Sequence, residues 1–319
     1  MRIIERPQID EALARLDVLP LIEAGFVAYS EGRAVVPPVG ELILDKGEVH
    51  IKYGFIRGEP WYVIKIASGF YRNPEHGLPS GDGMMLLFSQ ATGQPVAALL
   101  DHGHLTDVRT AAAGAIGARY LAPRRVRRIG VAGTGVQARL QVQHLRPVTD
   151  CRAVLVWGRS DEKLDLYRRD MGAEGFDVAI TRDPAELGAT CNLIVTTTPA
   201  SEPLLRASDI RPGTHINAIG SDAPHKQELD DGILARANLV VADSRAQCRE
   251  RGEIARALDA GLISPDQVSE LGDVIAGRAP RRTADDQITV FDSTGVAVQD
   301  IQIASAVGRA VGVTASRSG

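Results

Sequence analysis

One stretch constrains this chain more than any other. The apolar run RRIGVA leads into Gly133-Thr134-Gly135-Val136-Gln137-Ala138, and that turn leads into the helix-like QARLQVQHL. Glycine permits the tight turn and the close backbone approach, while a helix start offers free N–H groups and a positive dipole end to a pyrophosphate. The GxGxxA string alone also arises by chance as an incidental turn, so the order of strand, turn and helix is what carries weight. From Arg128 onward the same grammar repeats in CRAVLVWGRS, FDVAI, CNLIVTTTP, THINAIGSD and NLVVAD, each apolar run alternating with a helix-like segment. Such alternation predicts βαβ units and a doubly wound parallel sheet.

The first third reads differently. GELIL, EVHIKYGFI, WYVIKIASGF, GMMLLFS and QPVAALLD are apolar segments of strand length separated by turn residues, which predicts a meandering antiparallel sheet. A helical region in two pieces is expected from Leu13 to Ser30, broken near Pro20, and an Ala-rich helix is expected to open at Thr106 and stop at Pro123. The tail adds a strand, DQITVFD, and a closing helix that could return to the first domain. The fold class is therefore α/β: a Rossmann domain over residues 113–299, plus a smaller α+β domain with a largely antiparallel sheet over 1–112 with 300–319.

A chain of 319 residues with 44% hydrophobic and 24% charged residues can fill two cores of ordinary size. Its net charge of -4 provides no bulk positive field for nucleic acid or an anionic membrane. No apolar run reaches the ~20 residues of a membrane span, so a cytoplasmic protein is expected. Cys151, Cys191 and Cys248 show no metal-ligand spacing, and His102 and His104 read as a turn, so no metal is expected.

Several residues stand out chemically. Lys65, inside the apolar VIKIAS, must either snorkel at an edge or meet an anion. His50 and Lys52 alternate on the neighbouring strand and share a face, either a solvated one or a second anion contact. Asp222 follows the end of a parallel strand, where open α/β sheets bind ligands, which suits an acid or base as well as a helix cap. Arg159, at the end of the second Rossmann strand, would suit the 2′-phosphate of NADP or stack on an adenine, leaving Asp161 for the ribose of NAD.

Taken in order, VIKIASGF, NPEHGLPSGDG, LTDVRTAAAGAIGARYLA, GVAGTGVQA, VTTTP and HINAIGSDAPHKQEL resemble the ornithine cyclodeaminase and mu-crystallin family across nearly the whole chain. The resemblance implies a Rossmann domain joined to a substrate and dimerisation domain, a homodimer, and an NAD- or NADP-dependent redox step at the carbon of an amino or imino acid. It assigns Lys65 to the substrate carboxylate and Asp222 to catalysis. Ser80, Arg109 and Thr110 match first-domain contacts to the dinucleotide. The pyrophosphate loop is matched by Thr134, Gly135, Val136 and Gln137 after Gly133, and the nicotinamide end by Thr198, Ala218, Gly220 and Ser293. Many members carry an arginine after the proline pair, where this chain reads Pro37-Pro38-Val39-Gly40-Glu41. His50, Lys52 and Arg72 then become candidate replacements. Positive groups around the pocket favour an anionic imino acid by Coulomb attraction. The expected activity is reduction of an imino acid to an L-amino acid, with iminosuccinate to aspartate as the foremost substrate. A cyclodeaminase using catalytic NAD+ and a non-catalytic dinucleotide-binding protein are the alternatives.

Overall fold

The computed structural model describes residues 1–314 and divides into two compact units, one comprising Met1–Arg109 with the chain from Val296, the other Thr110–Gly295. The final five residues of the 300–319 span expected for the first domain lie outside the described residues.

In chain order the first unit contains β1 (Arg2–Glu5), α1 (Arg6–Leu13), α2 (Val18–Ser30), β2 (Ala34–Val35), β3 (Gly40–Leu44), β4 (Gly47–Ile56), β5 (Trp61–Gly69), β6 (Gly81–Ser89) and β7 (Pro95–Leu100). Helix α3 (His104–Leu121) begins in it. The second unit holds β8 (Ile129–Ala132), α4 (Val136–His144), β9 (Ala153–Trp157), α5 (Asp161–Ala173), β10 (Asp177–Thr181), α6 (Ala185–Thr190), β11 (Leu193–Thr196), β12 (His215–Ala218), α7 (Asp231–Arg236), β13 (Leu239–Ala242), α8 (Gly252–Asp259), β14 (Val268–Glu270), α9 (Leu271–Ile275) and β15 (Thr289–Asp292). Helix α10 (Ala297–Ala310) belongs to the first unit again.

The first sheet has the order β1-β7-β6-β5-β4-β2, with β3 paired to β4. Its meander from β4 to β7 is antiparallel, while β1 joins β7 in parallel. Alternation in β4 and β5 sends Lys52, Gly54, Ile56, Trp61, Val63 and Lys65 to a buried face, on which α10 packs. Ile4, Ile22, Phe26, Met85, Leu87 and Leu99 complete this core.

Two local expectations are corrected. The helical break falls before Val18, and Pro20 sits in the first turn of α2, where its missing N–H costs nothing. Helix α3 opens at His104 instead of Thr106. Asp101 Oδ2 accepts from the Leu105 N–H at 2.8 Å, and His102, with φ 52, forms the turn that allows this.

The second sheet is entirely parallel, in the order β10-β9-β8-β11-β12-β15-β13-β14. Strands run outward in both directions from β8, the doubly wound arrangement that puts ligand-binding loops at the carboxyl ends. One face is filled by a cluster including Ile194, Ile216, Ile254 and Val290, the other by one including Val131, Val142, Leu164 and Tyr167.

Candidate active site

The first unit buries a charged group on its meander. Lys52 and Lys65 are direct cross-strand partners on β4 and β5, 4% and 2% exposed. Asp300 on α10 lies 3.7 Å from Lys65 Nζ and 2.9 Å from Arg109 Nε. Arg109 Nη1 also donates to Gln299 Oε1 at 3.0 Å. Beside these, burial pushes the Asp101 carboxyl up to about 6, against the lowering effect of the Leu105 N–H, and the charge of Asp300 adds to the rise.

The reading of His50 and Lys52 as a solvated face does not hold, because both are buried. His50 Nε2 is 2.9 Å from Glu41 Oε1 and 4.0 Å from Glu48 Oε2, and Tyr71 donates to Glu48 at 2.8 Å. Its surroundings are thus acidic. Arg72 is bound to Glu75 with its side chain 82% exposed, and is not one of the buried set. Ser80 is exposed and accepts the Phe70 N–H through its carbonyl.

In the second unit the turn after β8 has the shape a pyrophosphate needs. Gly133 has φ 118, and a Cβ there would lie 2.7 Å from Thr197 Oγ1. A Cβ on Gly158, at the end of β9, would meet Thr134 Cγ2 at 2.8 Å, so the neighbouring strand also packs closely on the loop. Gly135 is the N-cap of α4 with no side-chain cap, and open space surrounds its Cβ position. The first N–H groups of α4, at Val136 and Gln137, are the donors a bound phosphate would use. Arg139 braces the loop from below, donating to the carbonyls of Thr134 and Gly135 at 2.6 and 3.2 Å while pairing with Asp170. Gln141 Nε2 donates to the Thr110 carbonyl, within α3, and to Gln137 Oε1. Arg159 is exposed, and Asp161 next to it pairs with Arg182 at 3.3 Å.

Thr198, Ala218, Gly220 and Ser293 all follow or end central strands. Ser293 N–H donates to the Ala218 carbonyl, joining the ends of β12 and β15. Asp222 does not cap a helix, since the next helix, α7, is capped by Asp230. Instead it accepts from Lys226 Nζ at 2.7 Å. Lys226 is 3% exposed and Asp222 stands half-open, so a buried ammonium holds one carboxylate oxygen. Asp300, Gln299, Asp101, Lys226 and Arg139 went unnoticed in the sequence. A charge inside the apolar VAVQDIQIASAV, and a lysine four residues after Asp222, were the available signals. Among the described residues no cluster of His, Cys, Asp or Glu could hold a metal ion, and no helix is long and apolar enough to cross a membrane.

Residues 2–312 match the model of the ornithine cyclodeaminase/mu-crystallin family. The chain belongs to that family. Among relatives in the ornithine cyclodeaminase/mu-crystallin family, a protein of Sinorhizobium fredii described as an uncharacterized cyclodeaminase is 43% identical over 91% of this chain and 89% of its own length. The iminosuccinate reductase of Paracoccus denitrificans, solved with NAD+, is 34% identical with a TM-score of 0.86, covering 97% of this chain and 96% of that one. The Thermococcus litoralis Δ1-pyrroline-2-carboxylate reductase, solved with NADH and L-proline, gives a TM-score of 0.91 at 25% identity, covering 97% of each chain.

Proposed function

We propose that this chain is an NAD(P)H-dependent oxidoreductase that reduces an anionic imino acid to the corresponding amino acid. The observation that carries this reading is the pair Lys52 and Lys65, two buried ammonium-bearing side chains directly opposite each other. Two basic groups so placed draw an anionic substrate by Coulomb attraction. Arg109 shares Asp300 with Lys65, so we assign it to the same anion, the substrate carboxylate, in preference to the dinucleotide.

The Gly133 loop, the start of α4 and the strand ends at Thr198, Ala218, Gly220 and Ser293 would hold a nicotinamide dinucleotide. When bound, that group supplies the hydride that reduces the imine carbon. Lys65 and Arg109 fix the carboxylate, and with it the face of the imine presented, a proximity effect. Asp222, oriented by Lys226, would act on the imine nitrogen, keeping its proton in place and the carbon electrophilic. The dinucleotides in the related structures are NAD+ and NADH.

The finer reading is iminosuccinate to aspartate. Lys52, Lys65 and Arg109 are three buried basic side chains of one unit, a set suited by Coulomb attraction to a substrate with a second carboxylate. Purified protein should oxidise NADH or NADPH when given oxaloacetate with ammonia. A panel of oxaloacetate, pyruvate and glyoxylate with ammonia or methylamine that gives no turnover with either dinucleotide would defeat the reading. A cyclodeaminase is the second reading, favoured by the acidic setting of His50 between Glu41 and Glu48, which would suit a side-chain amine. Proline released from ornithine with no net change in NAD+ would establish it. A homodimer is also proposed: among the described residues β3 pairs only with β4, and it presents Leu42, Ile43 and Leu44, 54%, 67% and 48% exposed. Light scattering after size exclusion tests that.

A further inference from the structure

The strands β11 and β12 are paired along Leu193–Thr196 and His215–Ala218, and at their carboxyl ends the chain separates into two loops. One carries Thr198, the other Gly220 and Asp222. The Gly220 N–H reaches the Thr196 carbonyl directly at 3.1 Å, and one buried side chain bonds to both loops beyond it. Glu228, fully buried, accepts from the Thr198 N–H at 2.6 Å and the Thr198 hydroxyl at 2.7 Å through Oε1, and from the Gly220 N–H at 2.9 Å through Oε2. Gly220 has to be glycine here, because a Cβ would lie 2.4 and 2.5 Å from the Thr198 carbonyl oxygen and nitrogen as well as 2.6 Å from Glu228 Oε2.

The backbone of Glu228 is fixed as well. Its carbonyl accepts from Leu204 N–H at 2.7 Å, and Gln227 N–H donates to the Ala200 carbonyl at 2.8 Å. Its own N–H donates to Glu253 Oε1 at 2.8 Å, with Leu229 N–H on the other Glu253 oxygen. Glu253 opens α8, and Asp292, at the end of β15, accepts from the next N–H of that helix, on Ile254.

Such a group is hard to explain by stability. The strands are already paired up to the point where the carboxyl group takes over, and a buried carboxyl group next to two more buried acids is an expensive way to hold them. Burial, opposed by these hydrogen bonds, pushes the Glu228 carboxyl up to about 7. What the arrangement provides is geometry. Both oxygens face main-chain N–H groups, so one carboxyl group holds the two loops together just where their backbones touch.

We propose that Glu228 is a positioning residue, clamping the Thr198 loop to the Gly220–Asp222 loop at the separation that nicotinamide binding and the hydride step require. This rests on the reductase reading above.

The experiment uses the full chain, with NADH as the binding probe and the best imine from the substrate panel. In Glu228→Gln one oxygen becomes an NH2 facing an N–H donor, so one of the two loops is released. The dissociation constant for NADH should rise about tenfold and kcat should fall about tenfold or more, with KM for the imino acid, bound through Lys65, changing less than about twofold. Glu228→Asp keeps the charge but shortens the reach. It should give the same split at smaller size, and it carries the test if the Gln variant does not fold. A lowered Tm with NADH affinity and kcat within twofold of wild type would overturn the proposal and leave Glu228 a structural residue. Wild-type protein that binds neither NADH nor NADPH would overturn the reductase reading along with it.

Discussion

Asp300 lies 2.9 Å from Arg109 and 3.7 Å from Lys65, and at 1% exposure it is the buried counter-charge that both cations share. Removing it strands two positive groups in a desolvated core, a change that typically costs about 3–5 kcal/mol. Asp300→Asn should therefore lower Tm clearly, and a small dicarboxylate such as succinate should restore more of that loss than it adds to wild type. Equal succinate shifts in both proteins would show that the cations do not face an anion site.

Lys52 offers a test of substrate charge. With Lys52→Gln, kcat/KM for the imine of oxaloacetate should fall at least tenfold more than for the imine of pyruvate, since the lost attraction acts on the second carboxylate. Parallel losses for the two substrates would place Lys52 on the carboxylate common to both.

At Gly133 the backbone takes a conformation that side chains resist and a Cβ would press on Thr197. Gly133→Ala should cost about 1–3 kcal/mol of stability and abolish measurable NADH binding. Gly172→Ala, in α5 with open space at its Cβ position, is the control and should bind NADH normally.

His215 gives a pH prediction. It is fully buried between Thr289 Oγ1 and Asn217 Oδ1, each at 2.9 Å, and burial, with help from Arg282, lowers its pKa to about 3. The unfolded chain binds this proton near pH 6.5 while the folded chain does not, so the unfolded state gains protons first as pH falls. Stability from this site is complete above about pH 6.5 and is lost toward pH 3, by up to about 1.4 kcal/mol per pH unit. Urea unfolding of His215→Gln should show a shallower acid slope over that window. An unchanged slope would mean that other groups govern acid unfolding.

Arg159 bears on the choice of dinucleotide. If it meets a 2′-phosphate, Arg159→Ala should raise the KM for NADPH by about tenfold, an exposed charge-assisted contact being worth little more, with NADH unaffected and the NADPH effect shrinking in salt. Equal weakening of both would put Arg159 on the adenine. The engagement of Asp161 by Arg182 makes that carboxylate a poorer ribose partner than its position in the sequence suggests.

Much of this was legible from periodicity. The parallel strands announced themselves because they are buried on both faces, and the meander because its turns are rich in glycine and proline. What remained hidden was the side of the meander that faces the core. Alternation by two says that His50 and Lys52 share a face, but not whether that face is covered. The cover is α10, which follows β4 by well over two hundred residues, and Asp300 arrives with it. Partners such as Lys226 and Glu228 were hidden for another reason. Each acts through a hydrogen bond set by loop conformation, and loops have no period to read.

The return of α10 to the first unit also fixes an order of events. The meander leaves the ribosome first, yet its buried face cannot close until Ala297–Ala310 has been made, after the whole of Thr110–Gly295. At roughly 5–20 residues per second of synthesis that wait is on the order of ten seconds or more. During it, Lys52 and Lys65 lie side by side on an uncovered sheet with no Asp300 between Lys65 and Arg109. A nascent chain in that state is half a domain beside a finished one, and its apolar strands are open to chaperones or to another chain. Cutting the protein near residue 296 should recreate this state permanently, leaving a unit able to hold a dinucleotide and another unable to fold around a substrate.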